Sequence, residues 1–470
     1  MKRHVLIFLA ALLVFLNVPN ATAQYVKLYD FDISTSPDGF YPMSGFVTDG
    51  AYLYSNNYSG GLGDVGTIFK IFPDGSGYEI VHDFNYFVDG GACIGDLLFD
   101  GTWFYGMSQW GGVNDKGAIF KIKPDGTGFQ NLFDFDDVTT GREGVGALVT
   151  DGTWLYGMCL EGGVAAAGTI FRIMQNGSGF SILHDFDWIL ESAYPWGSLF
   201  LQGGKLYGMT SQYGPSGAGS MFEMNPDGTG YNQFYDFDGL SGGYPTCAFI
   251  SDGTWFYGTT CQGGAFGGGV IFKIKPDGSG FEKLHDFDGT NGRMPMGTLV
   301  LEGTTLYGMT CYGGSSDLGT VFQIFTDGTG FVKMLDFDGP LYGSRPNGAL
   351  YSDGSTIYGT TQYGGVNDLG VVFKFGIVAN GMNENTTCFE IFPNPTDDQF
   401  QLRSTTVLTN ATIVVTDLAG SEIFRRENVS LNLGETTIII ADEWSEGAYL
   451  LTVSSVDEVL STQKLFVAGD

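Results

Sequence analysis

One spacing governs what this chain can fold into. The tripeptide Asp-Phe-Asp begins at Asp30, Asp134, Asp185, Asp236, Asp286 and Asp336, with Asp-Phe-Asn at Asp83, and successive starts lie 50 to 53 residues apart. Between these marks an aromatic or aliphatic residue is followed by Tyr-Gly at Tyr105, Tyr156, Tyr207, Tyr257, Tyr307 and Tyr358; Tyr54 precedes serine instead. A Gly-Gly step follows, then Gly-x-(Ile/Val/Met)-Phe ending at Phe69, Phe120, Phe171, Phe222, Phe272, Phe322 and Phe373. Self-similarity at such a period means that one supersecondary unit is stacked many times, each unit burying a face its neighbour supplies.

Each unit holds four strand-like runs, which in the sixth are GTLVLEG, TTLYGMT, GTVFQIF and GFVKMLDF. Short turns such as Ser251-Asp252-Gly253 join the first two, and turns such as Pro276-Asp277-Gly278 join the last two. Proline presets the first central position of such a turn and glycine accepts the positive φ that follows. Four antiparallel strands in about 40–50 residues is the period of a propeller blade. The array starts with a lone fourth strand, Tyr25 to Phe31, and its last unit stops after a third strand at Phe373. Pairing these two ends removes two exposed edges, a gain that only a closed ring obtains. The expected fold is therefore all-β: a seven-bladed β-propeller of four-stranded blades whose N-terminal strand closes the last blade. The 74 glycines then have a structural account in turns and close contacts, the glycine of Tyr-Gly making room for a large side chain from the next blade.

These motifs resemble the GloVer tandem repeat of bacterial secreted and surface proteins, over Tyr25 to about Phe375. The resemblance implies an extracellular location and carries no catalytic residues.

The N-terminus agrees with export. Lys2 and Arg3 precede an apolar run from Val5 to Leu16, and Ala21-Thr22-Ala23 supplies a small-residue cleavage pattern, so residues 1–23 read as a signal peptide. The run is too short to span a bilayer, and the chain is not expected to be membrane-spanning. Loss of Lys2 and Arg3 takes the formal charge from −31 to −33, which excludes nucleic acid and anionic membranes as partners. The six cysteines, Cys93, Cys159, Cys247, Cys261, Cys311 and Cys388, match no zinc spacing. A bridge among Cys247, Cys261 and Cys311 and a set of buried thiols are both open readings.

The repeat array thus occupies residues 24–376, and a polar linker follows over 377–387. From Cys388 to Asp470 strands resume without the repeat signature. FEIFPNPTDDQFQL, VTDLAG, GAYLLTV and KLFV resemble the type A sorting domain of type IX (Por) secretion. In that resemblance Pro393, Asn394 and Pro395 open the domain, Gly447 and Tyr449 mark a late strand, and Lys464 starts the last one. It implies a small immunoglobulin-like β-sandwich read by the type IX machinery and removed on export, leaving the mature protein released or attached to surface glycolipid. The alternative is a β-sandwich that binds a ligand of its own.

Catalysis would need residues that break the repeat, and the histidines do not. His82, His184 and His285 share one position, filled elsewhere by Tyr29, Phe133, Tyr235 and Leu335, so they belong to packing and no catalytic residue is assigned. Asp-Phe-Asp-Gly at Asp236, Asp286 and Asp336 places oxygen donors as a calcium loop opens, but the distant glutamate of such a loop is missing. Turn capping by these aspartates is the preferred reading; no cofactor is expected, with calcium as the alternative.

Ligand contacts are expected on the long loops, which all emerge on one face: those joining second to third strands and those joining one unit to the next. The former carry Tyr58, Trp110, Tyr213, Tyr312 and Tyr363 beside the Gly-Gly step, with Glu161 and Gln262 in two units. A broken ring of aromatic faces near Gln109, Gln212 and Gln362 would stack on sugar rings, or else cover the loop glycines. Arg142, Arg293 and Arg345 lie in the unit-to-unit loops. They would pair with acidic groups of a glycan or, in the preferred reading, neutralise the Asp-Phe-Asp carboxylates. The function expected is non-catalytic binding of extracellular polysaccharide or protein; a glycan-degrading hydrolase or lyase, or a calcium-stabilised surface protein, are the alternatives.

Overall fold

The computed structural model describes residues 25–32, 38–376, 389–392, 399–404, 408–417, 422–432, 435–440, 444, 447–454 and 459–467. The leader, the linker, Cys388 and the Pro393-Asn394-Pro395 motif lie outside them. Contacts divide the chain into two units, with Gln24–Gly376 forming one and Ile377–Asp470 falling in the other.

Residues 25–376 fold, among those described, into seven antiparallel sheets of four or five strands, numbered here by the order of their second long strands, with a small two-stranded pairing of Ser192–Ala193 and Gln212–Tyr213 beside the fourth. The sixth is typical: Val300–Glu302, Thr305–Thr310, Thr320–Phe325 and Val332–Asp336 pair in sequence order. The first is irregular, because Gly39–Pro42 and Val47–Thr48 both pair with Leu53–Gly60. In the seventh, Tyr351–Ser352, Thr356–Thr361 and Val371–Gly376 are completed by Tyr25–Asp30, with Tyr25 opposite Phe375 and Asp30 opposite Val371. The orphan strand and the open last unit do close on each other.

The repeat motifs turn out to be halves of contacts. The first Asp of Asp-Phe-Asp ends the fourth strand and accepts the N–H of the residue after Gly-Gly in its own sheet. This bond forms at Leu62, Val113, Val164, Ala265, Ser315 and Val366, at 2.7 to 3.1 Å. At the second glycine, for example Gly163 (φ +79) or Gly314 (φ +78), a Cβ would collide with that carboxylate. In the fourth sheet the loop reads Tyr213-Gly214-Pro215-Ser216, no such bond forms among the described residues, and burial raises the pKa of Asp236. The middle Phe of each motif is buried to 1% exposure or less.

The Tyr-Gly glycine answers to its own sheet, not to the next one as the sequence suggests. Gly258 faces Phe272 across the second and third strands, and a Cβ there would stand 2.7 Å from the ring tip. The tyrosine before it donates its hydroxyl to the Asp of the Asp-Gly turn, at 2.8 to 3.1 Å for Tyr54, Tyr105, Tyr156, Tyr257 and Tyr358. The same aspartates accept two turn amides each, as Asp252 does from Thr254 and Trp255.

Sheets pack on sheets in chain order. One apolar cluster joins Tyr105 and Phe135 of the second sheet to Leu148 and Phe171 of the third. Another joins Tyr358 and Val372 of the seventh to Phe46 and Phe69 of the first. On the outer strands, face-to-face ring pairs couple neighbours at 3.7 to 4.3 Å: Tyr29–Tyr78, His82–Phe129, Phe133–Phe180, His184–Tyr231, Tyr235–Phe281 and His285–Phe331. The histidines are packing residues, and burial lowers the pKa of His82 and His285. Cys93, Cys159, Cys247, Cys261 and Cys311 are buried free thiols.

The C-terminal unit has a three-stranded sheet, Phe389–Phe392, Gln399–Ser404 and Thr436–Ile440. A four-stranded sheet holds Glu422–Leu431, Leu408–Asp417, Gly447–Ser454 and Val459–Val467, in that order. Phe400 and Ile439 of the first share one core with Ile413, Tyr449 and Leu451 of the second.

The Gly-Gly reading is tested by two alanines at positive φ. Gly163→Ala meets Asp185, whereas Gly152→Ala (φ +92) meets nothing within 4 Å. Denaturant unfolding should show a loss of about 2–4 kcal/mol for the first and about 1 kcal/mol for the second. Equal losses would mean that backbone strain alone explains the glycine.

Candidate functional site

The long loops of residues 25–376 gather the chain's irregular chemistry. Apart from Val26 and Val332 on strands, the exposed large apolar side chains described there all stand on these loops, from Leu62, Phe87 and Val113 to Leu341 and Val366. The tight turns carry Asp-Gly and Pro-Asp-Gly instead, with the aspartates bonded locally, as Asp277 is to Ser279. The two kinds of connection therefore present different chemistry.

Each unit-to-unit loop enters its sheet through a left-handed residue that is not glycine: Tyr41, Ala92, Glu143, Tyr194, Tyr244, Met294 and Arg345, with φ between +51 and +59. Each donates its N–H, at 2.7 to 3.2 Å, to a carbonyl in the preceding sheet's second-to-third-strand loop, for example Tyr41 to Leu369 and Arg345 to Leu318. This stitch holds neighbouring loops in register and fixes where the next side chains go.

Two residues further on, the chain lines a narrow cavity of ≈ 90 Å³ to which all seven sheets contribute, among them Met43, Asp96, Trp196, Thr246, Met296 and Asn347. Asp96 is the one carboxyl among the lining groups. Its Oδ1 accepts the Gly45 N–H at 2.5 Å, and burial raises its pKa. Ser198 and Thr298 do the same work, accepting from Ala147 at 2.7 Å and from Ala248 at 3.1 Å. Sequence reasoning missed Asp96. Its only signal was an acid where other units have Gly45, Ala147, Ser198, Ala248, Thr298 and Ala349.

The three arginines are not equivalent. Arg142 sits opposite Glu161 and Arg293 opposite Tyr312, whereas Ser344, not Arg345, faces Tyr363. Arg142 pairs with Glu161 and lies 3.5 Å from Asp137. Beside it the buried Glu143 accepts from Gln109 at 3.3 Å, and its pKa is raised by burial and by Glu161. Arg293 grips both oxygens of Asp317, at 3.1 and 2.8 Å. None of the three neutralises an Asp-Phe-Asp carboxylate. Those oxygens take backbone N–H donors, as Asp288 does from Thr290 and Asn291, and lysines instead, with Lys27, Lys283 and Lys333 pairing with Asp30, Asp286 and Asp336. Among the described residues no group of three or more His, Cys, Asp or Glu side chains is placed to hold a metal ion.

The aromatic residues are also less open than expected. Both Arg293 (4.7 Å) and Arg345 (5.0 Å) lie over the Tyr312 ring, and Arg345 also lies 5.5 Å from the centre of Tyr363. Tyr41 leans on Tyr363 at 4.7 Å, so the stack runs through the sixth, seventh and first sheets. Tyr213 packs against Tyr194 and Trp188, both at 5.6 Å. Trp110 pairs through its backbone with Gly91. Ser59, not Tyr58, holds the matching place in the first sheet, opposite Phe40. Gln362 accepts from Asn347 at 2.6 Å, which ties the stack to the cavity wall.

The model of the Gloeobacter/Verrucomicrobia repeat matches residues 14–199 and 180–373, and that of the secretion system C-terminal sorting domain matches residues 390–468. The sorting domain directs the protein through type IX secretion to the cell surface or beyond it. Among the described residues no helix is long and apolar enough to cross a membrane. No curated protein matches the sequence. Among solved structures, the GH74 enzyme of Niastella koreensis is similar in fold at 12% identity and a TM-score of 0.51, over 91% of this chain and 66% of that one. An oligogalacturonate lyase in complex with manganese aligns at 13% identity and a TM-score of 0.49, over 76% of this chain and 94% of that one.

The cavity wall gives a direct test. Asp96→Ser keeps an acceptor for Gly45 and should unfold at or above the native temperature, whereas Asp96→Ala should lose about 1 kcal/mol. A stable Asp96→Ala variant would free this carboxylate from any structural duty.

Proposed function

Starting from a chain that belongs to the Gloeobacter/Verrucomicrobia repeat family, we propose an exported, closed seven-bladed β-propeller whose loop face binds extracellular glycan or protein without catalysis. The observation that carries this reading is the asymmetry between its connections. Exposed apolar side chains concentrate on the long loops, while the tight turns are polar and locally bonded. Exposed apolar side chains gathered on one kind of loop of an exported domain favour a contact surface there. Trp110, Tyr213, Tyr312 and Tyr363, with Arg142, Arg293 and Arg345, lie on those same loops. The matched C-terminal domain is read as an immunoglobulin-like sandwich, in keeping with its two sheets around one core.

A hydrolytic reading has one observation in its favour: Asp96, lining the cavity, and Glu143, in a unit-to-unit loop, are carboxyls held above their ordinary range. Both are already engaged, with Gly45 and Gln109, in bonds that hold the fold. Binding without turnover therefore accounts for more of the site. Calcium stabilisation finds less support, because the Asp-Phe-Asp oxygens accept N–H donors.

The test is a binding screen of the full protein against polysaccharides, neutral and acidic, and extracellular proteins. Trp110→Ala and Tyr213→Ala should each weaken the strongest binder at least tenfold, as loss of a buried aromatic contact does. Asp277→Ala, on a tight turn, should leave affinity unchanged. Loss only with Asp277→Ala would move the binding face to the turns.

A further inference from the structure

The stack across the sixth, seventh and first sheets contains one cation with no ion-pair partner of its own among the described residues: the Asp317 carboxylate feels its charge but is gripped by Arg293. Arg142 and Arg293 are consumed by Glu161 and Asp317. Arg345 is exposed, and among the described residues its guanidinium forms no ion pair and donates no hydrogen bond. It is held only by the faces of Tyr312 and Tyr363, at 5.0 and 5.5 Å. In a chain of formal charge −31, an arginine facing solvent with no carboxylate bonded to its guanidinium is conspicuous. Its position is fixed from both sides: its N–H binds the Leu318 carbonyl at 2.8 Å, and its own carbonyl accepts the Gln362 N–H at 3.2 Å.

A guanidinium clamped between rings keeps its planar fork of donors in one orientation, ready for two parallel bonds to an oxyanion. The chain's own charge limits what that oxyanion can belong to. A densely charged polyanion would be repelled by so acidic a protein, whereas one acidic group on a neutral body would not. Tyr312 and Tyr363 set two phenols beside the fork, and Tyr41 extends the stack from Tyr363, a hydroxyl-matching surface suited to a saccharide.

We propose that Arg345, clamped between Tyr312 and Tyr363 and flanked by Tyr41, anchors the single carboxylate or sulfate of an otherwise neutral oligosaccharide. This rests on the glycan-binding reading above and deepens it.

The experiment is ligand-observed NMR on the full protein with glucuronate, glucose 6-sulfate and glucose as probes, beside a glutamate-rich peptide. Glucuronate, glucose 6-sulfate or both should bind in preference to glucose, and which of them binds identifies the anion. Arg345→Gln should weaken that binding at least tenfold, and Arg345→Lys should restore only part of it, because an ammonium lacks the fork. Lys275→Gln, beside a tight turn, serves as a charge control and should change nothing. Thermal melting of each variant confirms that the fold is kept. If all three sugars bind alike and Arg345→Gln changes none, the anchor is wrong and glycan binding stands. If no sugar binds, the anchor and the glycan arm of the proposed function both fail. Arg345-dependent binding of the peptide alone would overturn the saccharide in favour of an acidic protein.

Discussion

The bond from the first Asp of Asp-Phe-Asp to the amide after Gly-Gly is the interaction on which the rest of the repeat unit depends. It ties the end of the fourth strand to the loop between the second and third, so every sheet but the fourth is clasped at its loop end. The clasp needs glycine where the carboxylate comes close, at a φ that glycine alone adopts freely. It also drives the middle Phe inward against the neighbouring sheet, as Phe135 meets Phe171. With the clasp in place, the unit-to-unit loop begins from a fixed point. The left-handed stitch to the preceding loop can then recur at every sheet. Loop geometry in this protein follows from strand-end chemistry.

The same chemistry absorbs much of the acidity of the repeat. Asp-Gly turns bind two amides and a tyrosine hydroxyl, and Pro-Asp-Gly turns bind the following Ser or Thr. What remains after these are set aside is a short set of positions at which the units differ. Asp96 stands in the cavity, Glu143 and Arg142 on one side of the loops, and the Arg293–Tyr312–Arg345–Tyr363–Tyr41 stack on another. A repeat with nearly uniform sheets thus carries loops that are not uniform in charge.

Strand order, the tight turns and the pairing of Tyr25–Asp30 with Val371–Gly376 were legible in the sequence, because each follows from a local pattern or from counting strands. The packing role of His82, His184 and His285 was legible too, since aromatic residues replace them. The partner of the Tyr-Gly glycine was not: periodicity shows that a ring must be near, and only strand register shows that Phe272 belongs to the same sheet as Gly258. The arginines misled for a related reason. Arg345 stands one register place beyond Arg142 and Arg293, with Ser344 in the paired place, so its guanidinium bonds neither of the acidic partners they grip. Contacts between residues of different units, such as Arg345 with Tyr312 and Tyr363, leave no trace in spacing.

All of this assumes that the ring is closed by its first strand, since an open array would leave the seventh and first sheets free to part and the stack through Tyr41 broken. Val26 lies directly opposite Lys374 in that junction. Mass spectrometry of a Val26→Cys/Lys374→Cys variant under mild oxidation measures closure directly. The account predicts one intramolecular disulfide formed in the native protein, and a melting temperature that falls when it is reduced. Thiols that stay free in the native state, or that link only between molecules, would contradict it.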